Sequence, residues 1–153
     1  MQFNQMQLRE TVGISVETFR HWKRVLPPFS DRKKFTLGDV LAAGIISRLT
    51  DSCGVRAGFL SEISRAIVEA CNAEGWASLQ DKALVIDLQK QSCVLVSSAA
   101  TYPFKETVVV CPLQEIITHI QGGLRRNEPV DEQHHLRFPP VVIKDARTQR
   151  RRA

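Results

Sequence analysis

The chain has 153 residues, of which 43% are hydrophobic and 24% are charged, and its formal net charge is +5. This length and composition are typical of a soluble globular protein with one good core or two small ones. No apolar run approaches the roughly 20 residues that a bilayer span needs, and MQFNQMQLRE at the start lacks the apolar segment of a secretory signal, so we expect a cytoplasmic protein without a membrane partner.

Three stretches in the first forty residues carry the signals of a helix start. Such a start has a polar capping residue, a polar partner three positions later and an apolar residue on either side. FNQMQL, ISVETF and FTLGDV fit this description, with caps at Asn4, Ser15 and Thr36. Between the first two helices, Gly13 can take the left-handed conformation that turns the chain sharply. The pattern predicts a helix-turn-helix.

The second predicted helix, over residues 15–24, has an apolar side and a polar side. Phe19, Trp22 and Leu26 recur at three- and four-residue spacing and are expected to be buried. The outer faces carry mostly polar and basic side chains, which are Glu17, Thr18, Arg20, His21 and Arg24. We interpret the aromatic residues as the scaffold and the cations as the binding groups.

A second basic cluster follows the prolines at 27–28, which cannot continue the helix. The segment 29–35 is turn-prone, is bounded by Phe29 and Phe35, and carries Arg32, Lys33 and Lys34. It predicts a two-stranded basic wing. A solvated turn without a partner is the alternative, because exposed Lys and Arg are common, but the nearby basic helix favours one shared polyanion.

The remaining chain mixes helices and strands. Helical spacing continues over 37–49 and again over 59–70, where Phe59 is expected to begin a second buried stripe. Gly75 is expected as a left-handed cap after this stripe. ALVIDLQ, SCVLVSS and ETVVVCP are β-branched and predict strands, the first two joined by a hairpin through residues 90–91. LQEIITHIQGGL after them returns to helical spacing, and PPVVI near the end could add an edge strand.

The predicted fold is therefore α+β. It begins with a winged helix-turn-helix and continues with a helix, a small three- to four-stranded antiparallel sheet and a C-terminal helix. We expect a DNA-binding domain at 1–55, a helix plus small α+β dimerisation or effector domain at 56–128, and a largely flexible basic tail at 129–153.

Charge is spread unevenly along these regions. Nine Lys/Arg face five Asp/Glu in residues 1–56, seven face ten in 57–142, and five face one in 143–153. This distribution indicates a polyanionic partner for the two ends only. The final RTQRRRA would either hold DNA phosphates loosely or be a solvated tail.

Four pieces occur in order between residues 6 and 55: VGISVETFRHW, a proline-containing break, RKKFTLGDV and LAAGIISRLTDSCGV. Together they resemble the DNA-binding domain of the MerR-type (mercury-resistance regulator) family. The resemblance implies a helix-turn-helix with a basic wing, followed by a helix pair. It places Thr18, Arg20 and His21 at positions that meet the major groove or its phosphates, and Arg32 and Lys33 on a wing along the DNA backbone.

We therefore expect a nucleoid-associated transcription regulator that binds double-stranded DNA and is not an enzyme. The second helix would read the major groove while the wing holds phosphates. One half-site is a small footprint, so a homodimer is expected. The expected DNA-binding residues are Ser15, Glu17, Thr18, Arg20, His21, Lys23, Arg24, Arg32, Lys33 and Lys34.

Two other functions stay open. The chain could be an excisionase-like architectural factor that bends DNA, or a module that senses an effector or binds protein. No catalytic residue, cofactor or metal is expected, since G-x-S-x-G, H-E-x-x-H and phosphate-binding glycine loops are absent. The four cysteines form no C-x-x-C pair, and Glu115 with His119 has the spacing of a surface pair more often than of metal ligands.

Overall fold

The computed structural model describes residues 1–98 and 106–127. Its elements are α1 (Gln5–Val12), α2 (Val16–Val25), α3 (Pro27–Ser30), α4 (Leu37–Asp51), a 3-10 helix (Ala57–Leu60), α5 (Ile63–Asn72), α6 (Trp76–Leu79), β1 (Lys82–Asp87), β2 (Ser92–Ser97), β3 (Val109–Pro112) and α7 (Leu113–Asn127). Helices precede and follow one small antiparallel sheet along the described chain. The mixed helix-and-sheet class that the sequence predicts is confirmed at this level.

The predicted helix caps are present. The Asn4 side chain accepts a hydrogen bond from the backbone of Gln7 at 2.9 Å, and the Gln7 side chain accepts one from the backbone of Asn4 at 2.9 Å. The same reciprocal box joins Thr36 and Asp39 at the start of α4. Gly13 ends α1 with φ of 84°, a conformation that costs glycine little. These local signals therefore fix where the first helices begin and how the chain turns between them.

The two-stranded wing predicted over residues 29–35 does not form a hairpin. The chain instead starts α3 directly after α2, because Pro27 occupies a first helical position, where its fixed φ suits a helix and its missing N–H is not needed. Phe35 forms an isolated antiparallel bridge with Phe3, and both N–H···O distances are 2.8 Å. The end of the basic segment (residues 29–35) thus pairs with the start of the chain and not with another part of the same segment.

The second helical stripe also differs from its prediction. It is divided between the 3-10 helix and α5, and Phe59 is 57% exposed instead of buried. Gly75 has φ of −71° and lies in extended backbone immediately before α6. It is therefore not the expected left-handed cap of the preceding helix.

The sheet has the order β2-β1-β3, and β1 pairs antiparallel with both neighbours. The predicted hairpin between β1 and β2 is confirmed, and its turn includes Gln91 with φ of 53°. Leu84 on β1 lies opposite Leu95 on one side and Cys111 on the other. The three predicted strands are all present, while the possible strand at 139–143 and the tail at 129–153 lie outside the described residues.

The hydrophobic core runs through the described chain as one cluster. α1 and α4 pack against α7, α4 also packs against α5, and α5 and α7 contact the sheet. The cluster begins at Phe3 and reaches Ile120. It therefore includes residues from both sides of the boundary predicted at 55–56, and α2 is supported by a core larger than that of an isolated helix-turn-helix.

Candidate nucleic-acid interface

The outer side of α2 carries a row of four exposed polar side chains. They are Glu17, Arg20, His21 and Arg24. Their spacing of three, one and three residues places them on one face of a helix, since residues three and four apart are neighbours on its surface. We call these four residues the α2 row. All four were expected on the outer side of the helix from the sequence, and Glu17 is the one acidic side chain among them.

The inner side of α2 is held by four aromatic rings. The Phe19 ring lies 6.2 Å from that of Phe29 and 6.0 Å from that of Phe35, and the Trp22 ring lies 6.0 Å from that of Phe29. All four side chains are at most 3% exposed. Aromatic pairs at these distances add to the stabilisation that burial provides. The cluster thus fixes α2 against both ends of the basic segment that follows it.

Two of the predicted DNA-binding residues form the start of α2. The Ser15 hydroxyl accepts a hydrogen bond from the Thr18 backbone N–H at 3.0 Å and donates one to the Thr18 hydroxyl at 2.9 Å. Thr18 is only partly exposed, and so is Lys23 on the other flank of the helix. These three residues lie beside the α2 row rather than in it.

The basic segment contains two kinds of cation. Arg32, Lys33 and Lys34 are all exposed. Arg32 Nη1, however, lies 3.1 Å from Oδ2 of Asp39, a side chain that is 1% exposed. The backbone carbonyl of Arg32 also accepts a hydrogen bond from Gln5 at 3.3 Å. The Arg32 side chain is therefore held by an ion pair within the fold. Lys33 and Lys34 form no ion pair with any of the described residues.

Asp39 is the centre of a polar cluster that the sequence did not reveal. Its Oδ2 accepts a hydrogen bond from the Thr36 backbone at 2.8 Å, and its Oδ1 accepts one from Asn72 at 3.1 Å. Asn72 in turn accepts a hydrogen bond from the Thr36 hydroxyl at 2.7 Å. These bonds satisfy a buried carboxylate that would otherwise be costly. They link the basic segment, α4 and α5.

The ion pairs of the described residues leave most cations of this surface available. Four pairs are present, which are Arg32–Asp39, Arg48–Glu115, Lys82–Glu74 and Lys90–Glu106. Within residues 1–98 and 106–127, the cations without a carboxylate inside 4 Å therefore include Arg20, Lys23, Arg24, Lys33 and Lys34. Glu17 and Asp31 are also exposed here, but the five unpaired cations outnumber these two carboxylates, so this surface keeps a net positive charge.

A cleft of about 250 Å³ lies behind the helix-turn-helix. The turn at Gly13 forms one wall, α4 contributes Arg48 and Asp51, and α7 contributes His119. Glu115, four positions before His119 on α7, pairs with Arg48 at 3.3 Å. The cleft touches the turn that sets the angle between α1 and α2.

Cysteine chemistry gives no second candidate site. All four cysteines are free, and only Cys53 is exposed. Burial raises the pKa of the Cys111 thiol to about 11 and raises that of Cys71 further. Both thiols are protonated at neutral pH. No group of three or more His, Cys, Asp or Glu side chains in the described part of the chain could hold a metal ion.

No family model, curated protein or solved structure matches the chain. The resemblance to the MerR-type domain therefore stays a prediction. None of the helices in residues 1–98 and 106–127 is long and apolar enough to cross a membrane.

Proposed function

We propose that the protein is a transcription regulator that binds double-stranded DNA through α2 and the basic segment after it. The observation that carries this proposal is the α2 row, in which Arg20 and Arg24 are exposed, lack a carboxylate partner among the described residues, and stand on a helix whose other side is locked into the core. Rigid support allows such side chains to meet a partner without first ordering the helix.

The chemistry of the α2 row suits the major groove. This groove is about 12 Å wide and admits a single helix with its side chains. Arg20 and Arg24 lie one turn apart, and each guanidinium can donate two hydrogen bonds to a guanine edge or to phosphate. Glu17 can accept from a cytosine amino group, and it repels phosphate where no such group is present. We assign sequence readout to these three residues, with His21 beside them.

The basic segment takes the part of a wing. Lys33 and Lys34 contribute point charges that bind phosphate without reading sequence. Arg32 contributes mainly to the position of the segment, because its guanidinium is committed to Asp39 at 3.1 Å. The rings of Phe29 and Phe35 fix the two ends. This division replaces the equal roles expected for the three cations from the sequence.

A selection experiment tests the proposal. The full chain is used to select duplexes from a random pool, and affinities are then measured for the best sequence and for a scrambled one. Arg20→Ala should lose about 1–3 kcal/mol on the selected sequence and much less on the scrambled one. Lys33→Ala should weaken both equally, because phosphates are the same in every sequence.

Arg48→Ala is the matched control for these variants. Arg48 is also an exposed arginine on a helix, but its guanidinium pairs with Glu115. Its replacement should leave both affinities within about twofold of the wild type. Equal losses from Arg20→Ala and Arg48→Ala, or a pool that yields no enriched sequence, would contradict the proposal.

The cleft behind the turn supports effector sensing as a second candidate function. A small molecule bound between the Gly13 turn, Arg48 and His119 would contact both the helix-turn-helix and α7. A library of small anions and cations can be screened by thermal unfolding, with His119→Ala as the variant that should lose any shift. A shift retained in His119→Ala would exclude this cleft as the site.

A further inference from the structure

β2 is an edge strand without the features that usually protect an edge. It is the outermost strand in the order β2-β1-β3, and all six of its residues pair with β1 in continuous register. Its sequence, SCVLVS, contains no charged residue and no proline. Exposed edges normally carry charge, proline or a bulge, because their free backbone groups otherwise pair with another strand. The other edge, β3, has only four residues and ends in proline.

The outer side of β2 has free hydrogen-bonding capacity. In an antiparallel ladder, alternate residues direct their N–H and C=O groups away from the paired strand. No backbone hydrogen bond joins this side of β2 to any other segment within residues 1–98 and 106–127. Val94, near the middle of the strand, is 47% exposed. Backbone groups and apolar surface are therefore available along the same line.

We propose that β2 pairs with β2 of a second copy of this chain, antiparallel about a twofold axis at Val94. The two three-stranded sheets would then form one continuous sheet of six strands. The strand is suited to pairing with itself because it carries no charge that a twofold axis would bring against its own copy. A partner of different sequence has no comparable support in the residues described.

The side chains agree with this register. An axis perpendicular to the sheet keeps each face on its own side, so that Val94 lies opposite Val94, Cys93 opposite Leu95, and Ser92 opposite Val96. Cys93 and Leu95 already pack partly against the core. A second copy would cover what remains of their apolar surface. Neighbouring apolar side chains across the new strand pair would stabilise it further.

This interface deepens the proposed function, because it supplies the dimer that the proposed DNA binding requires. Its test contains no DNA, so the two proposals can fail separately. Sedimentation equilibrium of the full chain should show a dimer. Val94→Lys should raise the dimer dissociation constant at least about tenfold, since an edge lysine blocks strand addition and the axis would pair two of them.

Val110→Lys is the matched control. Val110 lies on the opposite edge strand, is 43% exposed, and pairs with Val85 just as Val94 does from the other side. It should remain a dimer. Dissociation by both variants would indicate stacking of two sheet faces and overturn the edge pairing. A monomeric wild type, as expected if another segment of the same chain occupies the edge, or a dimer insensitive to Val94→Lys, would overturn it as well.

A second measurement covers the case in which Val94→Lys does not fold. Val94→Cys in a Cys53→Ser background should give a disulfide-linked dimer on mild oxidation, because directly opposite residues have Cα atoms about 4.5–5.5 Å apart. Val110→Cys in the same background should stay monomeric on a non-reducing gel. Failure of Val94→Cys to cross-link, or equal cross-linking of both variants, would overturn the proposed register.

Discussion

α2 and β2 are both exposed elements on well-supported scaffolds, but their outward chemistry is opposite. α2 presents Arg20, Arg24 and two further polar side chains above a fully buried aromatic cluster. β2 presents Val94 and backbone groups, with no charge at all. A cationic helix attracts a polyanion over several ångströms, whereas an uncharged strand edge gains stability only in direct contact. We therefore propose different partners for the two surfaces, nucleic acid for α2 and a second copy of the chain for β2.

The same contrast appears on a smaller scale between two adjacent residues. Arg32 and Lys33 have the same charge and are both exposed, yet only Arg32 is paired with a buried carboxylate. The sequence alone predicts the same role for both residues, whereas the ion pair with Asp39 shows that only Arg32 also holds the fold together. The following predictions test whether scaffold and binding surface are as distinct as these comparisons indicate.

The largest effect is expected where the scaffold of α2 is removed. Trp22→Ala should lower the free energy of unfolding by about 3–5 kcal/mol, because it deletes a side chain that is 1% exposed and leaves a cavity beside Phe29. His21→Ala, one residue earlier and exposed, should change stability by less than about 0.5 kcal/mol. Urea denaturation measures both. Similar losses from the two variants would show that α2 does not have separate inner and outer sides.

The next effect concerns the polar cluster under the basic segment. A Cβ at Gly38 would overlap Asn72 Oδ1 and lie 2.8 Å from the Cys71 carbonyl oxygen. Gly38→Ala should therefore cost about 1–3 kcal/mol, because backbone on one side limits relaxation. Gly58→Ala meets nothing within 4 Å and serves as the control. A neutral Gly38→Ala in thermal unfolding would show that α4 and α5 do not depend on this close contact.

Arg32 and Lys33 should separate stability from DNA binding. Arg32→Ala should destabilise the fold by about 1 kcal/mol, since the hydrogen bonds of Asp39 remain while its ion pair is lost. Lys33→Ala should leave stability unchanged and reduce the salt dependence of DNA affinity by about one unit of slope for each bound protomer. Unfolding and binding measurements on both variants provide the check. If Lys33→Ala destabilised the fold and Arg32→Ala did not, the structural role assigned to Arg32 would be contradicted.

The smallest effect is a pH dependence of the ion pair between Lys82 and Glu74. Hydrogen bonds from Lys82 and then from Ser78 hold the pKa of Glu74 below its ordinary value of 4.5. A depressed pKa in the folded state contributes stability above the ordinary pKa, and this contribution is lost as the pH falls through the lower folded value. The difference in Tm between wild type and Glu74→Gln should therefore shrink below about pH 4. A difference that is constant down to pH 3 would contradict this assignment.

The sequence predictions were correct where the structure depends on residues close together in the chain. The caps at Asn4, Ser15 and Thr36 depend on residues three positions away, and the buried stripe of α2 depends on residues within the same helix. Both were predictable from local spacing. The β-branched runs likewise indicated the three strands, since each is short and bounded by turn residues.

The failures involve partners far apart in the chain. The wing was predicted as a hairpin because its local sequence is turn-prone, but Phe35 pairs with Phe3, more than thirty residues earlier. Asn72 reaches Asp39 across 33 positions, and nothing in either local sequence announces that contact. The pairing of Arg32 with Asp39 joins residues only seven positions apart, but it could not be inferred either, because every neighbouring cation looks equivalent until the fold is known.

The salt dependence of duplex binding tests the central claim most directly. The affinity of the full-length wild type for its selected duplex should be measured between about 50 and about 200 mM monovalent salt. If the free cations of the two protomers in the proposed dimer together neutralise about six phosphates, log K should fall against log salt concentration with a slope near −5. A slope near zero, or no binding even at the lowest salt, would contradict the account.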